Sequence, residues 1–497
     1  MATIERLKSR SAIGQPPSVL PWLGILFAGS AALGAWLLIG PALGAGPYYK
    51  VGWHRTVYVY STQIVLLFIP WALALFAWRR GARASLRLLI GGAVILHLLV
   101  LFAPLAQSQD FYQYLFYGKM QAVHGANPFV VNPNTFWADP WFPWIRWNTQ
   151  PSVYGPAWIL LSFSVAKVVG GHLTLAFATL KLAILALDVG VMAMIVALGR
   201  GKADPRGSAG WGLLAFAWNP LVLITVPLAG SADVAVVAAF LGAILARRRG
   251  RNGLATVLLT LGALVKVYAV VGLVLHLVLL ARERGGRRVV GHAAASAGLA
   301  ALAYAPYWAG LSTFRGLIEA SKITNLGLAG TLQRTVFGFV FQRSGIAHWD
   351  TAAAVAVRVL GGAVLLAATV WALRHCRDER RLWWGALVVL IAYVLATPWF
   401  FYWYLLGPLA LVAVLPRNRL TYPILTFSAT SLIAVSLPWP PAVSLVQAVL
   451  RYGPPVAVFA LQRSGRATAE ADRPRTEMVA LPVPTGGVVP RATPAAK

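Results

Sequence analysis

Apolar runs of about twenty residues recur along the whole chain, and they constrain its fold more than any other feature of the sequence. The first three are residues 23–40, 57–78 and 88–106. Each is long enough to cross about 30 Å of hydrocarbon as an α-helix, whose backbone hydrogen bonds are all internal. Strands of a membrane β-barrel would be shorter and would alternate in polarity, which these runs do not. The runs therefore predict an all-α, polytopic integral membrane protein.

The charged residues agree with this class and indicate which partners to expect. Only 11% of the residues are charged and 59% are hydrophobic, whereas a soluble globular domain carries roughly 25% charged residues. The net charge of +29 comes from basic residues in short clusters between apolar runs, at 79–83, 247–251, 282–288 and 374–381. Such clusters mark cytoplasmic loops. The predicted partners are therefore anionic lipid headgroups rather than nucleic acid.

The basic residues also predict how the chain is threaded through the membrane. Residues 1–19 and 463–497 are expected in the cytoplasm, the second as a disordered tail. Between them, residues 20–462 are predicted to form a polytopic domain in the plasma membrane. It would hold about 12–14 transmembrane helices, the first being a retained signal anchor. Two long, aromatic-rich segments, residues 106–155 and 309–350, are predicted to be extracytoplasmic.

Two apolar stretches do not fit simple membrane crossings. After the first outer segment, a half-membrane helix is predicted at residues 156–169, followed by a full span at 173–198. Residues 254–280 begin and end at basic clusters but are too short for two full spans. They are predicted to form two short helices that meet near Lys266, where protein or water must line the broken backbone.

Carboxylates are the scarcest candidates for chemistry, with only 14 Asp and Glu in the chain. Most fall in predicted cytoplasmic loops or tails as solvated charges, and six do not: Asp110, Asp139, Asp188, Asp233, Glu319 and Asp350. Asp188 and Asp233 lie in or beside spans. A charge inside a membrane is energetically costly, so each residue is a candidate for a functional role. As alternatives, Asp188 pairs with Lys181 or a neighbouring helix, and Asp233 caps its own helix.

Asp110 follows the third apolar run and is predicted to lie at the outer membrane surface, within reach of a lipid headgroup. Its alternative role is to cap a helix over residues 111–123, and the two roles are compatible. Aromatic residues follow it as far as residue 154, with Lys, Asn and Arg among them. Anchoring at the membrane interface accounts for the aromatic rings, but not for these polar residues.

Motifs in the first outer segment occur in a fixed order: SQDFYQY (108–114), GK (118–119), GANPF (125–129) and YGPAW (154–158). They resemble the first outer loop of GT-C fold glycosyltransferases, most closely the actinobacterial polyprenyl-phosphate-mannose-dependent α-1,6-mannosyltransferases. Later motifs extend the resemblance over roughly residues 85–415: WNP (218–220), GSAD (230–233), ALVK (263–266) and PWFFYWY (398–404). Members of this family often have a second acidic residue beside the first-loop aspartate, whereas Gln109 and Phe111 flank Asp110.

The resemblance implies an inverting glycosyltransferase that moves a hexose, in this family mannose, from a polyprenyl-phosphate carrier to a cell-envelope glycan or lipid-linked acceptor. Asp110 would be the general base that deprotonates the acceptor hydroxyl. Basic residues of the outer segments would stabilise the leaving phosphate or, alternatively, snorkel toward headgroups: Lys119, Arg146, Lys322 and Arg334. The implied sugar or acceptor contacts are Tyr114, Asn127, Tyr154, Asp233, Lys266, Trp399 and Tyr402.

Two other functions remain open at this point. A transporter or flippase for lipid-linked sugars could use Asp188, Asp233 and Lys266 as coupling groups, although the internal repeats typical of transporters are not visible. A structural subunit of an envelope-assembly complex would leave the order of the motifs unexplained. No cluster of His and carboxylates has metal-ligand spacing, so neither a metal nor a cofactor is expected. The one cysteine, Cys376, excludes an intrachain disulfide.

Overall fold

The computed structural model of the chain describes residues 24, 53–101, 110–200, 205–324, 327–436 and 444–471. Helices of nine or more residues are numbered in chain order: α1 Trp53–Arg79, α2 Leu86–Leu101, α3 Asp110–Ala122, α4 Pro156–Val169, α5 Leu173–Arg200, α6 Pro205–Ala215, α7 Asp233–Arg248, α8 Asn252–Val265, α9 Val270–Arg284, α10 Gly286–Tyr304, α11 Trp349–His375, α12 Glu379–Ala396, α13 Leu406–Val414, α14 Thr421–Ser436 and α15 Ser444–Ala471. Within these ranges the only β-pairing is an isolated bridge between Ala309 and Leu311. The all-α prediction is confirmed.

Several helices have the length and composition of membrane spans. Among the described residues, α5, α11 and Gly286–Tyr307 (α10 with the turn after it) are long and apolar enough to cross a membrane. The bent pair Ser208–Ala215 and Pro220–Leu228 makes a fourth if it is counted as one span. Six further apolar helices have 10–17 residues. The chain is thus a helical membrane protein, while the total of about 12–14 spans stays a prediction.

The ends of the chain lie largely outside this description. All but one residue of the first predicted span, 23–40, are outside the described ranges. The last helix, α15, ends at Ala471, inside the segment predicted as a disordered tail. Residues 472–497 are again outside the described part of the chain.

Both predicted interruptions of the bundle are present. The short helix α4 is followed by the long span α5, and α8 and α9 meet at Lys266, whose backbone is extended (φ −143°, ψ 128°). At this break the Val265 carbonyl accepts a hydrogen bond from the Gly155 N–H, at 2.9 Å. A Cβ on Gly155 would lie 2.0 Å from the Leu264 oxygen, so only glycine lets the first loop approach this closely. The broken backbone is therefore lined by protein, as membrane depth requires.

A third interruption, which was not predicted, precedes α7. The Asn219 side chain accepts a hydrogen bond from the Leu221 N–H at 2.9 Å and donates one to Ser428 Oγ at 3.0 Å. Residues 220–228 then form a short helix that ends in a π-helical turn. Gly230 follows with φ +70°, and a Cβ there would lie 2.3 Å from the Phe111 ring. This turn places Asp233 beside the start of α3.

The buried charges of the spans are paired with other helices or with backbone carbonyls. Asp188 pairs with His97 of α2, which is the neighbouring-helix alternative rather than a pair with Lys181. The Lys181 ammonium instead donates to the Pro227 carbonyl at 2.7 Å and to the Leu228 carbonyl. Asp233 does not cap α7 through its side chain. Its carboxylate takes part in the cluster described below.

The two predicted outer segments contact each other at one end of the bundle. A Cβ on Gly316 of the second segment would lie 2.3 Å from the Ser152 oxygen of the first. Just before the second segment, the Tyr307 carbonyl accepts a hydrogen bond from Asn127 and the Tyr307 hydroxyl donates to Gln121, both at 2.8 Å. Helix α3 packs closely on α4, because a Cβ on Gly118 would lie 2.2 Å from the Ser162 oxygen. The predicted helix at 111–123 is confirmed. The segments therefore form a packed layer over the helices rather than loose loops.

Asp139 organises the first of these segments. Its carboxylate accepts hydrogen bonds from Lys119 at 2.8 Å, from His124 at 2.9 Å and from the Trp141 N–H at 2.8 Å. Burial alone would raise the pKa of Asp139, but these hydrogen bonds hold it below its usual range. A lowered pKa means stability that is present above the ordinary aspartate pKa and is lost as the pH falls through the lowered value.

Asp139→Asn is expected to destabilise the protein by about 3 kcal/mol, because it leaves the buried Lys119 ammonium without a counter-charge. The measurement is thermal unfolding in detergent at neutral pH. Asp350→Asn removes an exposed carboxylate from α11 and should leave the unfolding temperature unchanged. Equal unfolding temperatures for both variants would contradict a structural role for the Asp139 cluster.

Candidate active site

A cavity of about 510 Å³ opens beneath the two outer segments. Its walls come from five parts of the chain: the first outer segment, the break at Lys266, the second outer segment, α11, and the end of α12 with the aromatic turn that follows it, residues 393–404. The cavity thus lies where the break at Lys266 and both outer segments converge. A volume of this size is in the range of small-molecule sites.

Asp110, the first residue of α3, is half-buried in the cavity wall. Its two carboxylate oxygens accept hydrogen bonds from the Trp147 indole N–H and from the Tyr154 hydroxyl, each at 3.0 Å. Burial raises the pKa of the Asp110 carboxyl above its usual range, although the Trp147 bond and the charge of Lys266 partly oppose this. The result is a fixed carboxylate that is more basic than one in water, as a general base requires.

Behind Asp110 lies a buried ion pair. The Lys266 ammonium donates to Asp233 at 2.6 Å, and the Tyr268 hydroxyl donates to the other oxygen of the same carboxylate. Lys266 also lies 5.4 Å from the centre of the Tyr154 ring and 5.5 Å from that of Tyr404. Tyr154 therefore contacts both the Asp110 carboxylate and the Lys266 ammonium. Since Lys266 lines the cavity and Asp233 is fully buried, the pair presents its positive end to the cavity.

Aromatic rings form much of the remaining wall. The Trp147 and Trp399 rings are 5.3 Å apart at their centres, and Tyr268 stacks on Tyr393 at 5.5 Å. Their faces are apolar while their hydroxyl and indole groups are polar. Such a wall can contact both the apolar face and the hydroxyl edge of a sugar.

Several residues predicted from the sequence meet at this cavity. Asp110, Tyr154, Lys266 and Trp399 all line it. Two more lie directly behind the wall: Asp233 pairs with Lys266 as above, and the Tyr114 ring packs 4.7 Å from that of Tyr154.

Asn127 and Tyr402 are placed elsewhere. The Asn127 side chain accepts a hydrogen bond from the Phe129 N–H and so shapes a turn of the outer layer. Tyr402 is only 3% exposed and packs on Trp403, outside the cavity lining. Both residues have structural contacts that the motifs did not reveal.

The four predicted phosphate-binding residues are not among those that line the cavity. Lys119 is bound to Asp139 and lies 4.3 Å from the Trp141 ring centre. The reason is helical phase: Lys119 follows Asp110 by about two and a half turns and therefore points to the opposite side of α3. The other three are exposed, namely Arg146, Lys322 and Arg334.

The structure adds a cation that the sequence reasoning missed. Arg358 of α11 lines the cavity, and its guanidinium donates to the Lys322 carbonyl at 3.1 Å. No carboxylate in the described part of the chain forms an ion pair with it. Arg358 is the only charged residue between the terminal turns of this 27-residue helix, and that position was the signal that could have found it.

An all-α membrane bundle with a base, cations and aromatic walls around one open cavity defines a membrane-embedded enzyme that acts on a polar substrate. Residues 18–282 match the family model described as alpha-(1->6)-mannopyranosyltransferase, N-terminal domain. The chain is also 27% identical over 430 residues to alpha-(1->6)-mannopyranosyltransferase A of Mycobacterium tuberculosis (strain ATCC 25618 / H37Rv), a match that covers 78% of this chain and 79% of that protein.

The chain belongs to this alpha-(1->6)-mannopyranosyltransferase family, because the family model matches more than half of its length. It is a glycosyltransferase, and the predicted family and enzyme class are confirmed. These matches give no support to the alternative of a transporter. A sugar donor and a glycan acceptor are therefore its substrates.

The hydrogen bond that Tyr154 donates to Asp110 should influence the pKa of Asp110 and thereby the pH dependence of sugar transfer. Transfer by the wild type should be lost as the pH falls through the raised pKa of Asp110, because the protonated acid cannot accept a proton. Tyr154→Phe removes a bond that favours the ionised form, so the acidic limb of kcat/KM should move to higher pH.

Tyr117→Phe is the control, because the Tyr117 hydroxyl donates to the Gln150 carbonyl and not to Asp110. Its acidic limb should coincide with that of the wild type. An unmoved limb in Tyr154→Phe, or a shift to lower pH, would be inconsistent with Asp110 as the titrating group.

Proposed function

We propose that the protein transfers mannose from a polyprenyl-phosphate carrier to a hydroxyl of a cell-envelope glycan or lipid-linked acceptor, with inversion at the anomeric carbon. The observation that carries this proposal is the half-buried Asp110 carboxylate, held by Trp147 and Tyr154 in a cavity that also contains cations. The name of the mycobacterial relative supports mannose as the sugar and the α-1,6 linkage as the product.

Asp110 acts on the acceptor. The acceptor hydroxyl loses its proton to the Asp110 carboxylate while its oxygen bonds to the anomeric carbon of the donor sugar. Because Trp147 and Tyr154 bind one carboxylate oxygen each, the carboxylate is oriented before the acceptor arrives. The bond from the anomeric carbon to the phosphate oxygen breaks, and its electron pair leaves with the polyprenyl phosphate.

Arg358 and Lys266 act on the donor. The leaving phosphate gains negative charge, and fixed cations lower the barrier to its departure. Asp233 already balances the charge of Lys266, whereas Arg358 has only a backbone carbonyl as a described partner. Arg358 is therefore the better phosphate ligand, and its planar guanidinium suits two phosphate oxygens at once.

The basic end of the bundle supports a proposed orientation in the membrane. Ion pairs between Arg247 and Glu283 and between Arg248 and Glu379 join the ends of α7, α9 and α12. Helix α8 begins beside this basic end and ends at the break that borders the cavity. With the basic end in the cytoplasm, the cavity faces outward across the plasma membrane and both termini are cytoplasmic.

The proposal includes no metal or other cofactor, and it assigns to Arg358 and Lys266 the positive charge that the leaving phosphate requires. The described residues contain no group of three or more His, Cys, Asp or Glu side chains placed to hold an ion.

Asp110→Asn is expected to lower transfer by about 10²–10⁴-fold, the usual contribution of a general base. Membranes are supplied with radiolabelled polyprenyl-phosphate mannose and a glycan acceptor, and label in the acceptor is counted. Asp350→Asn is the matched control and should keep full activity. Equal transfer by Asp110→Asn and the wild type would remove Asp110 as the base, and passage of intact donor across sealed vesicles without transfer would favour a carrier.

Arg358→Gln is expected to lower kcat by about 10²–10³-fold. This is the usual effect of removing one hydrogen-bond donor to an oxygen that gains negative charge in the transition state. Arg358→Lys keeps the charge but not the two-pronged contact, so its activity should lie between those of Arg358→Gln and the wild type. Arg343→Gln is the control, because Arg343 packs on the Phe339 ring away from the cavity. An Arg358→Gln enzyme with the kinetics of the control would contradict a phosphate ligand at this position.

A further inference from the structure

One face of α11 changes from charged to small to apolar along its length. Arg358, Gly361, Gly362 and Leu365 line the reaction cavity. Residues that follow at helical spacing line a neighbouring groove of about 190 Å³: Leu365, Thr369, Ala372 and Leu373. Residues three, four and seven positions apart share one side of a helix. This face of α11 therefore runs continuously from the reaction cavity to the neighbouring groove.

The neighbouring groove is apolar and lies between α9, α11 and α12. It is named the α11 groove. Val270 and Val274 of α9 and Leu390 of α12 complete its walls. It shares Tyr268, Leu365 and Tyr393 with the reaction cavity, so the two spaces are adjacent.

The α11 groove is long and open on one side. From Leu365 to Leu373 it follows α11 for about 12 Å. Val270 is 41% exposed and Val274 is 38% exposed. Both side chains therefore keep surface that no other described part of the chain covers.

We infer that the α11 groove binds the hydrocarbon chain of the polyprenyl-phosphate donor, with the phosphate at Arg358. This inference rests on the proposed function, and it assigns the site for the part of the donor that does not react. The order along the helix matches such an amphiphile: a cation for the phosphate, then glycines, then an apolar channel. A Cβ on Gly362 would meet nothing within 4 Å, so this position leaves space where the head group joins the chain.

A second apolar hollow of about 300 Å³ also adjoins the reaction cavity, between α8 and α10. It shares Val153, Tyr154, Val267 and Leu317 with that cavity, and Tyr154 is the residue that donates a hydrogen bond to Asp110. No residue of α11 lines it. An in-line displacement puts the leaving phosphate on the far side of the sugar from the base. The carrier chain therefore belongs in the α11 groove, and the second hollow provides a matched control.

The test compares two donors in three proteins. Thr369→Trp fills the α11 groove, and Ala300→Trp fills the second hollow from an equally half-buried position. One donor carries a long polyprenyl chain, and the other carries a single isoprene unit that ends near the phosphate. Thr369→Trp should raise KM for the long-chain donor by about tenfold, since burial of a few methylene groups is lost, without changing kcat. It should leave both constants unchanged for the short donor, and Ala300→Trp should match the wild type with both donors.

The outcomes separate the inference from the proposed function. A wild type that transfers from neither donor would refute the proposed function. A wild type that uses both, with Thr369→Trp affecting both equally or neither, would refute the α11 groove alone. A long-chain defect confined to Ala300→Trp would place the chain in the second hollow instead.

Crosslinking provides a second readout that does not depend on how the tryptophan variants fold. A photoreactive residue at Val274 should capture radiolabelled long-chain polyprenyl phosphate, and one at Ala297 of the second hollow should not. Capture at Ala297 but not at Val274 would overturn the assignment.

Discussion

The ion pair between Lys266 and Asp233 is the contact on which the rest of the site depends. Each partner lies at an interruption of the bundle: Lys266 between α8 and α9, and Asp233 directly after the turn at Gly230. A charge buried in a membrane protein is costly unless it is paired. Neither interruption can therefore move without exposing the other partner's charge, and the pair holds two irregular backbone segments in one arrangement.

The Asp110 carboxylate, the proposed base, takes its place from this arrangement. Tyr154 packs against Lys266 and donates to Asp110, while Gly155 donates its N–H to the carbonyl left free at the break. The first outer segment is thus fixed to the broken helix at consecutive residues. This fixation lets the site hold its base and cations in position before substrate binds, which is where enzymes gain most of their electrostatic stabilisation.

The sequence predicted those features that hydropathy and basic clusters determine: the helical membrane class, the half-helix at 156–169 and the break at Lys266. Four predicted site residues that line the cavity, among them Asp110 and Tyr154, came from motif order. The phosphate ligands could not be predicted in this way, because the candidates were chosen from loops. Lys119 failed because its direction depends on helical phase, and Arg358 was missed because it lies within an apolar helix. Contacts between distant helices, such as His97 with Asp188, depend on which helices are neighbours, which no local pattern contains.

The central claim is that one cavity carries out a single displacement, with Asp110 as base on one side of the sugar and the phosphate leaving on the other. The anomeric configuration of the product, determined by NMR against that of the donor, tests it most directly. A general base that activates the acceptor hydroxyl gives inversion. Retention of configuration, with a sugar covalently attached to the enzyme as an intermediate, would show a nucleophilic carboxylate instead and would contradict the account.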